Sequence, residues 1–138
     1  EEKYLSDIEW KNANVSLERM PARDANISYS PINVYGTTYD KGLGLHAGHE
    51  VVYSLNGAYQ KLTALVAPDS GCNAEPGKNM SIMGLVIYAD GSEIFRDDHI
   101  NFHQQDKVDL ELNLEGVQEL KICATNGDNG NDWSDDLN

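Results

Sequence analysis

Apolar and polar residues alternate along several short stretches of this chain, with the period of two that is typical of β-strands. The clearest stretch covers residues 108 to 115, where one valine and three leucines alternate with Asp, Glu and Asn. Because successive side chains of a strand point to opposite faces of a sheet, this pattern predicts a strand with one buried and one solvated face. Gly116 ends the stretch, and Leu120, Ile122 and Ala124 repeat the alternation in a further predicted strand.

Residues 81 to 89 are the most apolar run of the chain, which predicts a strand that is covered on both faces. Asp90-Gly91 then predicts a hairpin turn into the next strand, Glu93-Ile94-Phe95. Earlier strands are predicted over residues 50 to 55 and 62 to 67, since both are rich in β-branched or large residues and end at turn residues.

The beginning of the chain is less regular. Residues 4 to 10 alternate and predict a first strand with Ile8 and Trp10 on one side. Residues 12 to 31 are mostly polar or small, and they predict a long loop with at most short strands. Residues 32 to 39 predict another extended piece.

Helical periodicity is missing from every window of a helix's length. About eight short strands at spacings of roughly ten residues, with turn signals between them, predict an antiparallel β-sandwich. The length of 138 residues suits one domain with a real core, so we predict an all-β chain that forms a single domain over residues 1–138.

Two glycines, Gly42 and Gly44, are separated by one leucine and precede His46. Glycine accepts tight turns and left-handed conformations that a Cβ resists. The spacing therefore predicts a turn that presents His46 at a fixed place, shortly before the strand over residues 50 to 55.

Acidic residues outnumber basic ones by 23 to 10, which gives a net charge of −13. Because nucleic-acid binding depends on clustered Lys and Arg, this balance argues against a nucleic-acid partner. No apolar run approaches the length needed to cross a bilayer, which predicts a soluble globular chain without a membrane span. The charged start, Glu1-Glu2-Lys3, is not a signal peptide, so a secreted form would have lost its targeting segment or would carry it far upstream.

Two cysteines, Cys72 and Cys123, leave two possibilities open. They could form one disulfide in an exported domain, or they could remain two thiols. Neither has the spacing of a Cys-x-x-Cys or zinc motif.

Short motifs that stand in one order along nearly the whole chain resemble a known family. They are Ser6-Asp7-Ile8-Glu9-Trp10, Tyr39-x-Lys41-Gly42-Leu43-Gly44-x-His46-Ala47, Tyr88-Ala89-Asp90-Gly91 and Asp132-Trp133-Ser134-Asp135. In this order they resemble the NPCBM family of carbohydrate-binding modules. The resemblance implies a jelly-roll-like β-sandwich, similar to galactose-binding domains, whose loops at one end hold the ligand. It also implies a noncatalytic, monomeric module attached to the catalytic domain of a larger, secreted bacterial glycoside hydrolase.

The resemblance further implies the ligand and the place of action. It predicts that the module binds terminal galactose or related glycans, such as those of blood-group type, and holds its parent enzyme near the substrate outside the cell or at a cell surface. Sugar recognition in water uses an aromatic platform for the apolar face of the ring and planar polar groups for its hydroxyls. The residues predicted to bind carbohydrate are Tyr35, His46, Asn131, Asp132 and Trp133.

Structural roles stay open for these residues. His46 could simply hold its loop through a hydrogen bond, and Trp133 could anchor the tail in the core. Tyr29 and Tyr39 are further platform candidates in adjoining loops. The chain differs from many family members in having no Trp around residues 14 to 20.

Calcium is the predicted cofactor. The tail offers several Asp and Asn side chains, whose hard oxygen donors suit Ca²⁺, although their spacing is not that of an EF-hand. The resemblance implies a structural calcium with Asp24 and Asp135 at the positions that match family motifs. The alternative is a solvated acidic loop.

Two other functions are alternatives to a sugar-binding module. A structural or protein-interaction sandwich would pack its loops against a neighbouring domain and bind no sugar. A small hydrolase would need a catalytic constellation, and the sequence contains no motif of the serine-hydrolase, zinc-protease or phosphate-binding type. His99 and His103 would share a helix face as metal ligands, but residues 97 to 101 predict a loop.

Overall fold

The structure, a computed structural model, is an antiparallel all-β fold. It describes residues 2–16, 18–70, 72, 81–128 and 136–137. A short 3-10 helix spans Leu5–Asp7. The strands of the described residues are β1 (Asn12–Ala13), β2 (Ala22–Arg23), β3 (Ile32–Val34), β4 (Thr37–Tyr39), β5 (Leu43–His46), β6 (Glu50–Ser54), β7 (Lys61–Val66), β8 (Ile82–Ala89), β9 (Ser92–Asn101), β10 (Val108–Asn113), β11 (Glu119–Thr125) and β12 (Asp136–Leu137).

One layer is a five-stranded sheet in the order β1-β6-β11-β8-β9, in which all neighbours are antiparallel. Strand β11 lies at its centre, so that Ile122 pairs with Val51 on one side and with Ile87 on the other. Apolar residues of β6 and β11 face the core. The period of two predicted β11, whereas β-branched and large residues predicted β6.

The other layer consists of smaller sheets. β7 pairs with β10, β5 lies between β12 and β2, and β3 pairs with β4. Leu45 of β5 and Leu110 of β10 belong to the same buried apolar cluster as Val51 and Leu120 of the large sheet. The two layers therefore enclose one core, and the predicted β-sandwich is confirmed.

The strongest sequence patterns correspond to observed strands. Leu85 and Val86 point to opposite faces of β8 and are only 1% and 2% exposed, so this strand is covered on both faces as predicted. Asp90 and Gly91 form the predicted turn between β8 and β9, and both have positive φ (49° and 82°), as hairpin turns of the primed types require.

The predicted first strand over residues 4 to 10 is wrong. The backbone turns instead, with Asp7 N–H donating to Tyr4 O at 3.0 Å and Ile8 N–H donating to Leu5 O at 3.1 Å. Ile8 and Trp10 still pack against the core. The apolar pattern thus identified the side chains that contact the core, but a strand also needs a neighbouring strand for its backbone groups.

The predicted loop over residues 97 to 101 is also wrong, because β9 continues to Asn101. Strand β9 lies at the edge of the large sheet and pairs with β8. Edge strands have a neighbouring strand on only one side and often carry charged side chains. The pairing with β8 therefore overrides the loop-like composition. His99 is therefore in a strand and shares no helix face with His103.

The two cysteines are buried thiols, so the disulfide alternative is not realised. Cys123 Sγ lies 3.4 Å from Glu50 Oε1. Burial is the largest of the effects that raise the pKa of this thiol, to about 11, which keeps it protonated at neutral pH. Within the described part of the chain, no helix has the length and apolar character to cross a membrane.

Candidate functional site

Loops meet at the end of the sandwich where β6 begins and β11 ends. The turn between β5 and β6 is fixed there by two backbone hydrogen bonds: Gly48 N–H donates to Ala124 O at 2.8 Å, and Ala124 N–H donates to His49 O at 2.9 Å. The loop that carries Asn14 and Ser16 attaches to this turn, and the loop over residues 26 to 30 contacts Arg19.

His49 joins the loop before β2 to the end of β5. Its ring is fully buried, and Nδ1 accepts a hydrogen bond from the backbone N–H of His46 at 2.8 Å. A neutral imidazole that accepts on Nδ1 carries its proton on Nε2, and Nε2 lies 2.7 Å from Arg19 O. His49 thereby ties the Arg19 backbone to β5.

Two polar side chains fix the same loop from its other end. Ser16 Oγ donates to Ala47 O at 2.6 Å. Asn14 Nδ2 donates to Gly48 O at 2.8 Å, and Asn14 Oδ1 accepts from Glu50 N–H at 2.7 Å. The loop that carries Arg19 is therefore held in one position on the rigid end of the sheet.

The second loop is shaped by Asn26. Its side-chain oxygen accepts from the backbone N–H groups of Ser28 and Ser30 at 3.0 and 2.9 Å. Its Nδ2 lies 3.3 Å from an oxygen of the buried Asp69 carboxylate. These contacts hold Tyr29 in the left-handed region (φ 62°), where its ring is exposed and the residue is 65% accessible. Strained backbone held by a network of this kind is common at binding sites.

Arg19 and Tyr29 come together between the two loops. Arg19 Nη1 donates to Ile27 O at 2.8 Å, and the guanidinium carbon lies 5.6 Å from the centre of the Tyr29 ring. We call this pair, with the Asn26 loop that supports it, the rim site. It combines an exposed aromatic face with a planar hydrogen-bond donor, which is the combination that sugar recognition requires.

Two of the predicted carbohydrate-binding residues, Tyr35 and His46, are described by the structure, and both lie outside the rim site. Tyr35 is half-buried in the turn between β3 and β4, where its hydroxyl donates to Asp106 O at 2.5 Å and its ring lies 6.1 Å from that of Phe102. His46 is only 4% exposed and lies on β5, where its backbone pairs with Asp136 of β12. Asn131, Asp132 and Trp133 lie outside the described residues, so their roles stay predictions.

The predicted glycine turn before His46 is wrong in its geometry. Leu43–His46 is strand β5. A Cβ on Gly44 would lie 2.5 Å from Ala25 O and 2.7 Å from Asn26 Cα. The glycine is required by the close approach of the rim-site loop to β5, rather than by a turn.

Of the predicted metal ligands, Asp24 has other partners and Asp135 lies outside the described residues. Asp24 accepts from Lys41 Nζ at 2.7 Å and from the Gly42 N–H at 3.0 Å. The hydrogen bond from Lys41 is the main cause that lowers the pKa of the Asp24 carboxyl. A carboxylate that faces an ammonium group is a poor cation ligand, and the described residues hold no group of three or more His, Cys, Asp or Glu that could bind a metal. The calcium site stays a prediction.

Sequence reasoning missed Arg19, Asn26 and His49 as parts of a site. Asn26 did carry a local signal, since an Asn followed by two serines at Ser28 and Ser30 can form the side-chain-to-backbone turn observed here. His49 carried none, because its partners are brought to it only by the fold.

The loop after β11 is attached to β9 by a hydrogen bond between His99 and Asp128 that depends on pH. His99 Nδ1 lies 3.0 Å from Asp128 Oδ1, and this bond raises the pKa of His99 above its ordinary value of 6.5. A raised pKa means that the contact stabilises the fold fully below pH 6.5 and is lost as the pH rises through the higher value. We expect an NMR titration of the His99 ring to show a midpoint above 6.5, and Asp128→Asn to lower it. An unchanged midpoint in the variant would contradict the assignment.

Comparison with known proteins gives consistent matches over the whole fold. The family model described as "NPCBM/NEW2 domain" matches residues 1–137. The structure of CBM51 from Clostridium perfringens GH95, solved in complex with methyl-galactose, is similar with a TM-score of 0.84 at 25% identity, over 98% of this chain and 93% of that chain. CBM51-2 of Clostridium perfringens ZmpB, in a structure with GlcNAc and INT domains, gives a TM-score of 0.81 at 27% identity, over 97% of this chain and 29% of that chain.

One protein that is similar in sequence is much longer than this chain. A Renibacterium salmoninarum protein that is provisionally named an endo-alpha-N-acetylgalactosaminidase is 24% identical over 139 residues. The match covers 96% of this chain but only 9% of the length of that relative.

Proposed function

Because the chain belongs to the NPCBM/NEW2 domain family, we propose that it binds terminal galactose or a related glycan. In this role it holds a parent secreted glycoside hydrolase near its substrate. The structural relatives named above are noncatalytic carbohydrate-binding modules attached to enzyme domains, which supports this role. A sugar ring stacks on Tyr29, and the planar polar groups of the neighbouring loops pair with its hydroxyls. Such a shallow, preformed site gives weak affinity alone. Tethering to an enzyme, or display of several modules, increases retention through effective concentration.

The observation that carries this proposal is the exposed Tyr29 ring on a loop that Asn26 holds rigidly. In the isolated domain, the exposure of this aromatic ring on an ordered polar loop does not contribute to the stability of the fold. The likeness to a module solved with methyl-galactose supports the same ligand class.

Tyr29→Ala should reduce the affinity for a galactose-terminated oligosaccharide by about tenfold, because the apolar face of the sugar loses its platform. Tyr29→Phe should retain most of the affinity, since the ring remains. Both are measured by isothermal titration calorimetry, with thermal unfolding to verify that the fold is intact.

Tyr4→Ala is the matched control. Tyr4 is 61% exposed, and its ring centre also lies 5.6 Å from a cation, Lys41 Nζ, but it is outside the rim site. Its loss should leave the affinity unchanged. Wild-type affinity in Tyr29→Ala would refute the assignment of the platform, and failure of the native chain to bind any glycan offered at millimolar concentration would favour the structural or protein-interaction alternative.

A further inference from the structure

Arg19 differs from most cations of this acidic chain in having no carboxylate partner among the described residues. Five of the nine described Lys and Arg residues lie within 4 Å of an Asp or Glu oxygen, namely Lys11, Lys41, Lys61, Arg96 and Lys121. In the described part of the chain no such contact exists for Arg19, whose positive charge is met by the Tyr29 ring and one carbonyl oxygen.

The guanidinium of Arg19 also retains donor capacity. A guanidinium offers several N–H groups in a rigid plane, and the structure uses Nη1 for the bond to Ile27 O. That bond and the contact with Tyr29 fix the plane in advance. A planar, fixed guanidinium pairs with a carboxylate or a similar oxyanion through two parallel hydrogen bonds, which are stronger than bonds between neutral groups.

We propose that Arg19 binds an anionic group, a carboxylate or a sulfate, on the glycan whose neighbouring ring stacks on Tyr29. This inference rests on the proposed function and narrows it from galactose-terminated glycans to acidic ones. The net charge of −13 opposes an anion only weakly, since charges beyond about 8 Å are screened at physiological ionic strength. The guanidinium of Arg19, which has no carboxylate partner among the described residues, therefore decides the preference at the site.

The test compares three ligands by isothermal titration calorimetry: lactose, 3′-sialyllactose and a lactose that carries a sulfate on its galactose. The two acidic ligands are expected to bind about tenfold more tightly than lactose, as a charge-assisted bond predicts. Their relative affinities distinguish a carboxylate from a sulfate. Added salt should weaken the binding of the acidic ligands and leave that of lactose nearly constant.

Arg19→Met should weaken the binding of the acidic ligands by about tenfold more than that of lactose, so that their advantage is lost, while Arg19→Lys should keep part of the advantage because the charge remains without the planar fork. Arg23→Met is the matched control, since the guanidinium of Arg23 also lies over an aromatic ring, Trp10, at 4.0 Å, outside the rim site. Thermal unfolding of each variant verifies the fold.

The outcomes separate this inference from the proposed function. If lactose and the acidic ligands bind equally, or if Arg19→Met weakens all three alike, the anionic specificity is overturned while galactose binding stands. If none of the three ligands binds, the proposed function fails and the inference fails with it.

Discussion

Gly44→Ala is expected to destabilise the fold by about 3 kcal/mol or more, because the added Cβ meets backbone rather than a movable side chain. Its position would be 2.5 Å from Ala25 O and 2.7 Å from Asn26 Cα. Asn26 cannot yield, since its side chain holds the backbone of Ser28 and Ser30 and reaches the buried Asp69. The free energy of unfolding is measured by chemical denaturation.

Gly91→Ala provides the control for that substitution. A Cβ on Gly91 would meet nothing within 4 Å, and the only cost is its positive φ of 82°, which amounts to about 1 kcal/mol. Equal losses in the two variants would show that Gly44 matters only through backbone flexibility. A larger loss at Gly44, together with weakened glycan binding, would show that β5 and the rim site depend on the same close contact.

His49→Ala is expected to cost about 3 kcal/mol, since it removes a fully buried ring together with its hydrogen bonds. The ring accepts from the N–H of His46 and lies 2.7 Å from the C=O of Arg19, which also accepts from Ser16 N–H at 2.9 Å and so keeps one partner. Because His49 fixes the loop that carries Arg19, glycan affinity should also fall. Denaturation and calorimetry on the same variant measure the two effects.

His99→Ala is the corresponding control on an exposed histidine. Its side chain is 47% accessible and belongs to a surface ion pair, so the change in unfolding free energy should stay within about 0.5 kcal/mol. If His49→Ala were as mild as this variant, the clamp between β5 and the Arg19 loop would contribute little to the fold.

The parts of the fold that could be predicted are those in which burial and local period agree. Strands β8, β10 and β11 have uninterrupted apolar or alternating patterns, and each was predicted within a few residues. Residues 4 to 10 show where a local pattern is insufficient: Ile8 and Trp10 pack against the core as their pattern indicates, but no strand among the described residues pairs with them. Residues 97 to 101 show the opposite case, in which pairing with β8 extends a strand through charged residues.

The candidate site was less predictable because its contacts join residues that are distant in sequence. Asp24 was selected as a metal ligand from its motif, yet its partner Lys41 approaches only in the folded chain. His46 was expected to be presented on a turn, whereas the glycines before it serve a strand. Tyr29 was one of three tyrosines with the right surroundings, and only its accessibility in the structure distinguishes it from Tyr35 and Tyr39.

The central position of β11 also constrains the order in which this chain can fold. Strands β6 and β8 are both neighbours of β11 and not of each other, so the large sheet cannot close until residues 119 to 125 have left the ribosome. Until then, both strands have open apolar edges that can pair with other chains. The domain should accordingly form only after residues 119 to 125 are available, and slowly, as proteins dominated by distant strand pairings do. Its yield in an expression host should depend on how well nascent chains are protected.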